Sequence, residues 1–358
     1  MHRLISFLTA TAAVLAISVS AALAQEDADA VAAPSLLFDA DVPLRLTIRG
    51  PLSRITRDRS AEPTYRPATL LVTGETEIGH ELDVAIRPRG RSRRDRKACT
   101  FPPLRLNFRT KELDGTVLDG QDKLKLVTHC KDRSRRHEQF VLQEYLLYKS
   151  FNALTEDSFR VRLVDVEYID TDGKRKPVRA PGFLIEHKSE LASRRGLEVA
   201  DVKRIKLAEL DPAATALLGV FQYLIGNTDW EPLAGPAGDD CCHNVVPFLA
   251  ADGSYIPVPY DLDSTGVVDP PYAAPHESLK IKSVRTRLYR GYCLPDSYLD
   301  AALERVKSRK DAIYAAFRAQ PGLEKKTIER SLDYFDGFYE VLDDSRNLDR
   351  EIRQACRG

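Results

Sequence analysis

Four things are missing from this 358-residue chain: an excess of one charge, a second long apolar run, a C-x-x-C pair and a G-x-G-x-x-G loop. Lys plus Arg and Asp plus Glu both number 53, giving a net charge of zero. No overall field therefore draws the chain to nucleic acid or to an acidic membrane. Beyond the first two dozen residues, no apolar run reaches the ~20 residues that a spanning helix needs, so no stable membrane span is expected. Without C-x-x-C spacing, a zinc site is the weaker reading of the cysteines. Internal repeats are also absent, which excludes solenoids and propellers.

What is present begins with "MHRLISFLTATAAVLAISVSAALA". A basic start at Arg3, an apolar stretch to about Val19, and Ala22 and Ala24 before Gln25 form a cleavable signal. The sequence thus predicts a periplasmic or secreted protein cut after Ala24. All six cysteines follow that point, where an oxidising compartment favours disulfides. Cys99 and Cys130 lie at the edges of two predicted strands and form the first expected pair. Cys242 with Cys293 is the second, leaving Cys241 and Cys356. A zinc site at "DDCCHN" is the alternative.

The expected organisation is a signal peptide (1–24), a loose acidic leader (25–34), a strand-rich lobe (35–187) and a helical lobe (188–358). "LRLTIRG", "ELDVAIRPRG", "PPLRLNF", "KLKLVTHC" and "SFRVRLVDVEYID" alternate apolar and polar residues with the period of a strand. A turn at "TDGK" leads into "PVRAPGFLIEH". One helix interrupts the strands, with Ser134 as its N-cap. After Ser189, "LDPAATALLGVFQYLIG" reads as a buried helix capped by Asp211, with Pro212 at its first position and Gly226 able to end it. Two short strands, "NVVPFLA" and "SYIPVPYDLD", flank the turn "ADGS", and helices follow.

The chemistry-bearing residues gather in this second half. Asp229 emerges at the C-terminal end of the buried helix, where the helix dipole disfavours a carboxylate. The only tryptophan, Trp230, stands next to it as a wall against solvent. Asn244 opens one strand of the hairpin and Asp261 closes the other, so the two side chains are expected at one end. Asp263 joins them on the same face if the strand continues. Asn and Asp oxygens suit magnesium, calcium or manganese. The alternative is a set of carboxylates capping turns.

In the first half, "RPRGRSRRDRK" carries six arginines and one lysine against one aspartate. It reads as a polyanion patch, a solvated loop, or a loop that lets Gly90 and Arg89 approach a phosphate. Glu144 sits inside the apolar stripe Phe140, Val141, Leu147 and Tyr148, and so needs a partner. Lys125 on the preceding strand is the candidate. A salt bridge of purely structural role is the alternative.

These stretches, in this order, resemble the CotH family of bacterial secreted and spore-coat proteins. "RPRGRS", "FPPLRLNF", "KLKLVTHCKDRSRRHEQFVLQEYL", "PVRAPGFLIEH" and "NTDW…HN…VPYDLDSTG" carry the likeness, from about Val84 to Gly266. The resemblance implies an α+β, two-lobed protein-kinase-like fold and ATP-dependent phosphorylation of a protein hydroxyl with Mg or Mn. It implies Asp229 as catalytic aspartate, Asn244 and Asp261 as metal ligands supported by Asp263, and Lys125, Glu144, Arg89 and Gly90 around the nucleotide. The chain departs from the family in having Phe101 and Pro102 where lysines are usual, so Lys125, Lys97 or Arg105 would supply the nucleotide cation. The gap from Asp229 to Asn244 is also longer than in typical kinases and holds the cysteine pair. Two other functions are compatible with the same residues: a non-catalytic envelope or surface binding protein, and a metal-dependent hydrolase.

Overall fold

The computed structural model describes residues 36–73, 79–90, 92–108 and 113–358. The expected signal peptide and leader lie outside them. Among the described residues there are ten β-strands and eight α-helices.

The alternating stretches do form strands: β1 (Leu44–Gly50), β2 (Arg66–Thr73), β3 (His80–Pro88), β4 (Leu104–Phe108), β5 (Lys123–Val127), β6 (Val161–Asp170) and β7 (Val178–Ile185). They close into a barrel in the order β1-β2-β3-β4-β5-β7-β6. All neighbours are antiparallel except the closing pair, where β1 runs parallel to β6 from Leu44↔Val164 to Gly50↔Asp170. Leu46, Ile48, Leu70, Val84, Ile86, Leu106, Leu124, Leu126, Val166 and Leu184 fill the inside. On β6 and β7 the opposite face is buried as well. Leu163, Phe183 and Ile185 pack into a second core with the helices.

That second core overturns the expected two-lobed, kinase-like fold with a separate helical lobe. Helix α2 (Arg135–Asn152) is buried on nearly every side from His137 to Ser150. It lies among β6, β7 and the C-terminal helices, not on the surface of a strand lobe. Its Gln143 amide donates to the Val267 carbonyl and to Ser331 Oγ, both at 3.0 Å, tying first half to second. The short α1 (Leu52–Ile55) follows β1 and α3 (Lys188–Arg195) follows β7. The described residues hold together as one unit. The barrel closes where β1 pairs with β6, and β6 and β7 carry apolar residues on both faces because helices cover their outer side.

Helix α4 (Pro212–Ile225) forms as its caps direct: Asp211 accepts from the Ala214 amide at 2.7 Å, and Pro212 occupies the first turn. Gly226 ends it at φ +68°, where a Cβ would collide with the Tyr334 hydroxyl. A small sheet, β8 (Glu198–Val199) with β9 (Val245–Leu249) and β10 (Tyr255–Pro259), lies beyond it. Helices α5 (Asp296–Ser308), α6 (Lys310–Ala319), α7 (Lys325–Asp343) and α8 (Ser345–Leu348) complete the chain.

Three disulfides are present. Cys99–Cys130 is the expected pair and joins residues 31 apart. The expected Cys242–Cys293 pair does not form. Cys293 bonds Cys356, because the backbone of residues 291–293 pairs in parallel with Arg357. Cys241 bonds its neighbour Cys242. Chain entropy alone assigns about 3.5 to 4.5 kcal/mol to each of the two long closures and nothing comparable to the third.

Candidate functional site

Asp229, Asn244 and Asp261 line one cleft of about 590 Å³, together with Ser92, Lys188, Tyr260, His243 and the Cys241–Cys242 pair. Each arrives by a separate route. Gly226 turns the chain out of α4, so Asp229 sits just past the helix end. Asn227 Oδ1 accepts the Asp229 amide at 2.9 Å and fixes that turn. Asn244 and Asp261 flank the β9–β10 hairpin, where the Tyr260 amide donates to the Asn244 carbonyl at 2.9 Å. Both residues have left-handed backbones, φ +51° and +58°. Asn and Asp bear this better than other side chains, and such strain gathers at functional sites.

The unfavourable dipole at Asp229 is offset by hydrogen bonds. His243 Nε2 lies 2.6 Å from Oδ1, and Asn244 Nδ2 donates to Oδ2 at 3.1 Å and to the Asp229 carbonyl at 2.7 Å. The His243 contact first, then Asn244 and the charge of Arg290, hold the Asp229 carboxyl below its usual range against the effect of burial. Asp229 is thus an ionised carboxylate, paired with an imidazole and open to the cleft. Trp230 does not line the cleft: it is buried behind Asp229 with Leu218 and Val245, its Nε1 donating to the Asn227 carbonyl at 3.2 Å.

Glu144 is buried as expected, but its partner is Arg93, not Lys125. Arg93 Nη1 meets Glu144 Oε2 at 3.1 Å, Nη2 meets Asp261 Oδ1 at 2.8 Å, and Nε stands 3.4 Å from Asp263 Oδ2. Asp263 also accepts from Tyr272 Oη at 2.7 Å. The strand does not continue to Asp263. The positive φ at Asp261 breaks it, and Arg93 is what collects both aspartates. Burial alone would weaken the Arg93 charge, but Asp263, Glu144 and Asp261 outweigh it and keep the guanidinium protonated. One cation against three carboxylates leaves a proton to be shared. Burial first, then repulsion from Asp263 and Asp261, pushes the Glu144 carboxyl up to about 8 in spite of Arg93. Burial raises Asp263 too.

Sequence reasoning missed Arg93 because one arginine among six reads as part of a solvated patch. The available signal was the other half of the balance: Glu144, Asp261 and Asp263 together demand a buried cation. The arginine-rich segment is accordingly part of the site. Arg89 donates to the Tyr260 hydroxyl, and Gly90, at φ +87°, offers its carbonyl to Arg94 Nε at 2.6 Å. Arg91 lies outside the described residues.

Lys125 faces a different neighbour, its ammonium 4.0 Å from the centre of the Tyr260 ring. It stands directly across the barrel wall from Arg105, which in turn stands across from Arg87. Like charges in facing positions destabilise a sheet. Arg89, Arg105, Lys125 and Lys188 form no ion pair among the described residues, and Arg89 Nη1 and Arg105 Nε are buried without a partner. Burial, then Arg105, Lys125 and Lys188, pushes His187 down to about 4, leaving it neutral. Burial lowers Lys125 as well. Tyr260 thus separates a cationic corner from the carboxylates of the cleft.

Among the described residues, no group of three or more His, Cys, Asp or Glu is placed to hold a metal by itself. Arg93 takes one oxygen of Asp261 and one of Asp263. The second oxygen of Asp261 and the amide oxygen of Asn244 remain on a cleft-lining pair of side chains. Such a pair suits a hard divalent ion that draws its other ligands from phosphate and water. Asp263, buried behind Arg93, serves as support.

No protein-family model and no curated protein matches the chain.

Proposed function

We propose that the chain is an ATP-dependent phosphotransferase of the CotH-like kind, acting on a protein hydroxyl outside the cytoplasm. The observation that carries this reading is the pairing of unneutralised cations with a carboxylate cleft across Tyr260. Arg105 and Lys125 repel each other across the sheet, and a bound polyphosphate would relieve that repulsion. Asp229, ionised and exposed to the cleft, accepts the proton of the acceptor hydroxyl. His243 and Asn244 orient it. Arg93 holds Asp261 at the cleft and balances Glu144 and Asp263 behind it. A Mg or Mn ion, entering with the phosphates, would be held by Asp261 and Asn244 and would neutralise charge as it develops. The resemblance to the CotH family supports the order Asp229, Asn244, Asp261. The three disulfides fit an oxidising, extracellular compartment, and the Ala22–Ala24 signature supports a mature N-terminus at Gln25.

The test is a thermal-shift titration of the mature protein with ATP, with and without Mg or Mn, alongside Lys125→Met. Lys125→Met relieves the cross-strand repulsion, so it should melt higher than wild type without ligand and respond less to ATP. Wild-type protein that ignores ATP with either metal refutes the reading. A second reading rests on the close Asp229–His243 pair, which is equally able to activate water. Release of phosphate from ATP in the absence of any acceptor would favour that hydrolase.

A further inference from the structure

The wall of the cleft contains a bond that the proposed chemistry does not use. Cys241 and Cys242, both half-buried, line it beside Pro236, Asp239 and Asp240. As a staple this disulfide is redundant, since adjacent residues close no loop of chain. The other two pairs are braced across the fold. Cys99 and Cys130 are buried, and the Phe101 amide donates to the Cys130 carbonyl at 2.9 Å. The Cys293 amide donates to the Arg357 carbonyl at 2.8 Å. These backbone bonds keep the sulfurs together after a bond opens, so re-formation is favoured. Cys241 and Cys242 are joined by a peptide bond already, so opening their disulfide frees no distant part of the chain, and the fold favours this bond less than the two long closures.

The segment they end is fastened at both borders. At one side the Glu231 and His243 backbones exchange hydrogen bonds of 2.9 and 3.0 Å. At the other the Cys241 amide donates to the Val202 carbonyl at 3.0 Å. The first anchor holds the His243 backbone beside Asp229. A change in the loop 235–242 alters what the cleft admits. A reduced state also has a place for its proton: Cys242 Sγ lies 3.1 Å from the Pro232 carbonyl, an acceptor for a thiol.

We propose that Cys241–Cys242 is a redox-modification site, opened by a dithiol reductant, that controls access to the cleft. A thiolate of the dithiol attacks one sulfur, the Cys241–Cys242 bond breaks and a mixed disulfide forms. The second thiol of the reductant then displaces the protein. Two electrons and two protons pass to the chain, which leaves as two thiols, and the reductant leaves as its disulfide.

The chain carries its own reporter. Trp230 is the only tryptophan, and Cys242 packs against the cluster it forms with Leu218 and Val245. A disulfide quenches a neighbouring indole by electron transfer, so opening this one should brighten emission. The experiment equilibrates the oxidised mature protein with dithiothreitol at graded ratios of reduced to oxidised reagent. It reads Trp230 emission, alkylation at each cysteine by mass spectrometry, and hydrogen exchange by peptide. The Cys241→Ser/Cys242→Ser double variant supplies the open state without reductant.

The expected result has three parts. Cys241 and Cys242 become labelled at a ratio about tenfold lower than the other pairs, which is about 30 mV for a two-electron couple. Emission rises over the same range. Exchange quickens in 235–242 but not in 243–249, in the reduced protein and the double variant alike. Labelling of all three pairs together, or unchanged exchange in 235–242 in the double variant, overturns the proposal. The functional arm rests on the proposed phosphotransferase reading and measures the ATP–Mg thermal shift in both states. A several-fold change in apparent affinity supports access control, and equal affinity overturns it. Absence of any ATP response in either state refutes the phosphotransferase reading, and exchange and labelling then decide the redox site by themselves.

Discussion

Replacing Arg93 with methionine keeps most of the side-chain volume and removes the charge that three carboxylates share. The guanidinium is buried, with Glu144, Asp261 and Asp263 at 3.1, 2.8 and 3.4 Å. Removing one partner of a buried ion pair is destabilising by about 3–5 kcal/mol, because the remaining charge is left without compensation. For a chain of this size that corresponds to a fall of roughly 4–7 °C in melting temperature. The loss should depend on pH, with a sign fixed by Glu144. Its folded pKa of about 8 lies above its reference of 4.5, so the folded state holds a proton that the unfolded state releases. The stability from that proton is fully present below about 4.5 and disappears as pH rises towards 8. Asp263, also raised, acts in the same direction. Near pH 5 Glu144 is largely protonated, and Arg93→Met should be mild. Near pH 8 it is more ionised, and the variant should be severe. Glu144→Gln removes one titrating group, so the double variant should recover part of the loss at pH 8. Circular-dichroism melts of the four proteins at pH 5, 6.5 and 8 measure this. A melting temperature for Arg93→Met within about 2 °C of wild type at pH 8, or a larger loss at pH 5 than at pH 8, would refute the electrostatic account.

Asp261→Ala should abolish the metal-dependent part of ATP stabilisation, whereas Asp229→Asn should leave it and remove phosphoryl transfer; transfer at the wild-type rate by Asp229→Asn counts against its role as base. Non-reducing peptide mapping should recover Cys99–Cys130 and Cys293–Cys356, and Cys99→Ser/Cys130→Ser should lose about 2–5 kcal/mol in urea melts. Arg357→Ala removes the 2.7 Å bond to Glu231 Oε2 and the cation above Trp230. It should destabilise by about 1–2 kcal/mol and shift Trp230 emission to the red, and unchanged emission would show that the C-terminus does not support the site.

The sequence foretold elements whose signals are local. Asp211, Pro212 and Gly226 delimit α4 because caps and breakers act within a turn. The β9–β10 hairpin was legible from its turn, and it brings Asn244 to Asp261 as the spacing suggested. Features that depend on distant chain were not legible. The pairing of β1 with β6 has no turn to announce it, so the closed barrel was read as a strand lobe. Cys356 reaches Cys293 only because the end of the chain returns to residues 291–293. Lys125 was assigned to Glu144 by analogy of strand and helix, yet its ammonium rests on the ring of Tyr260.

The parallel seam between β1 and β6 also sets the order in which the chain can assemble. Leu44 and Val164 are neighbours in space but far apart along the sequence. A chain synthesised from its N-terminus presents β1 to β5 as a meander with two raw edges before β6 and β7 arrive to join them. Non-local closure of this kind is slow, and an open edge invites pairing with other chains. Arg45 and Arg49 project from β1 into solvent, and charges on an edge strand discourage such pairing. During assembly they protect a strand that waits for its partner.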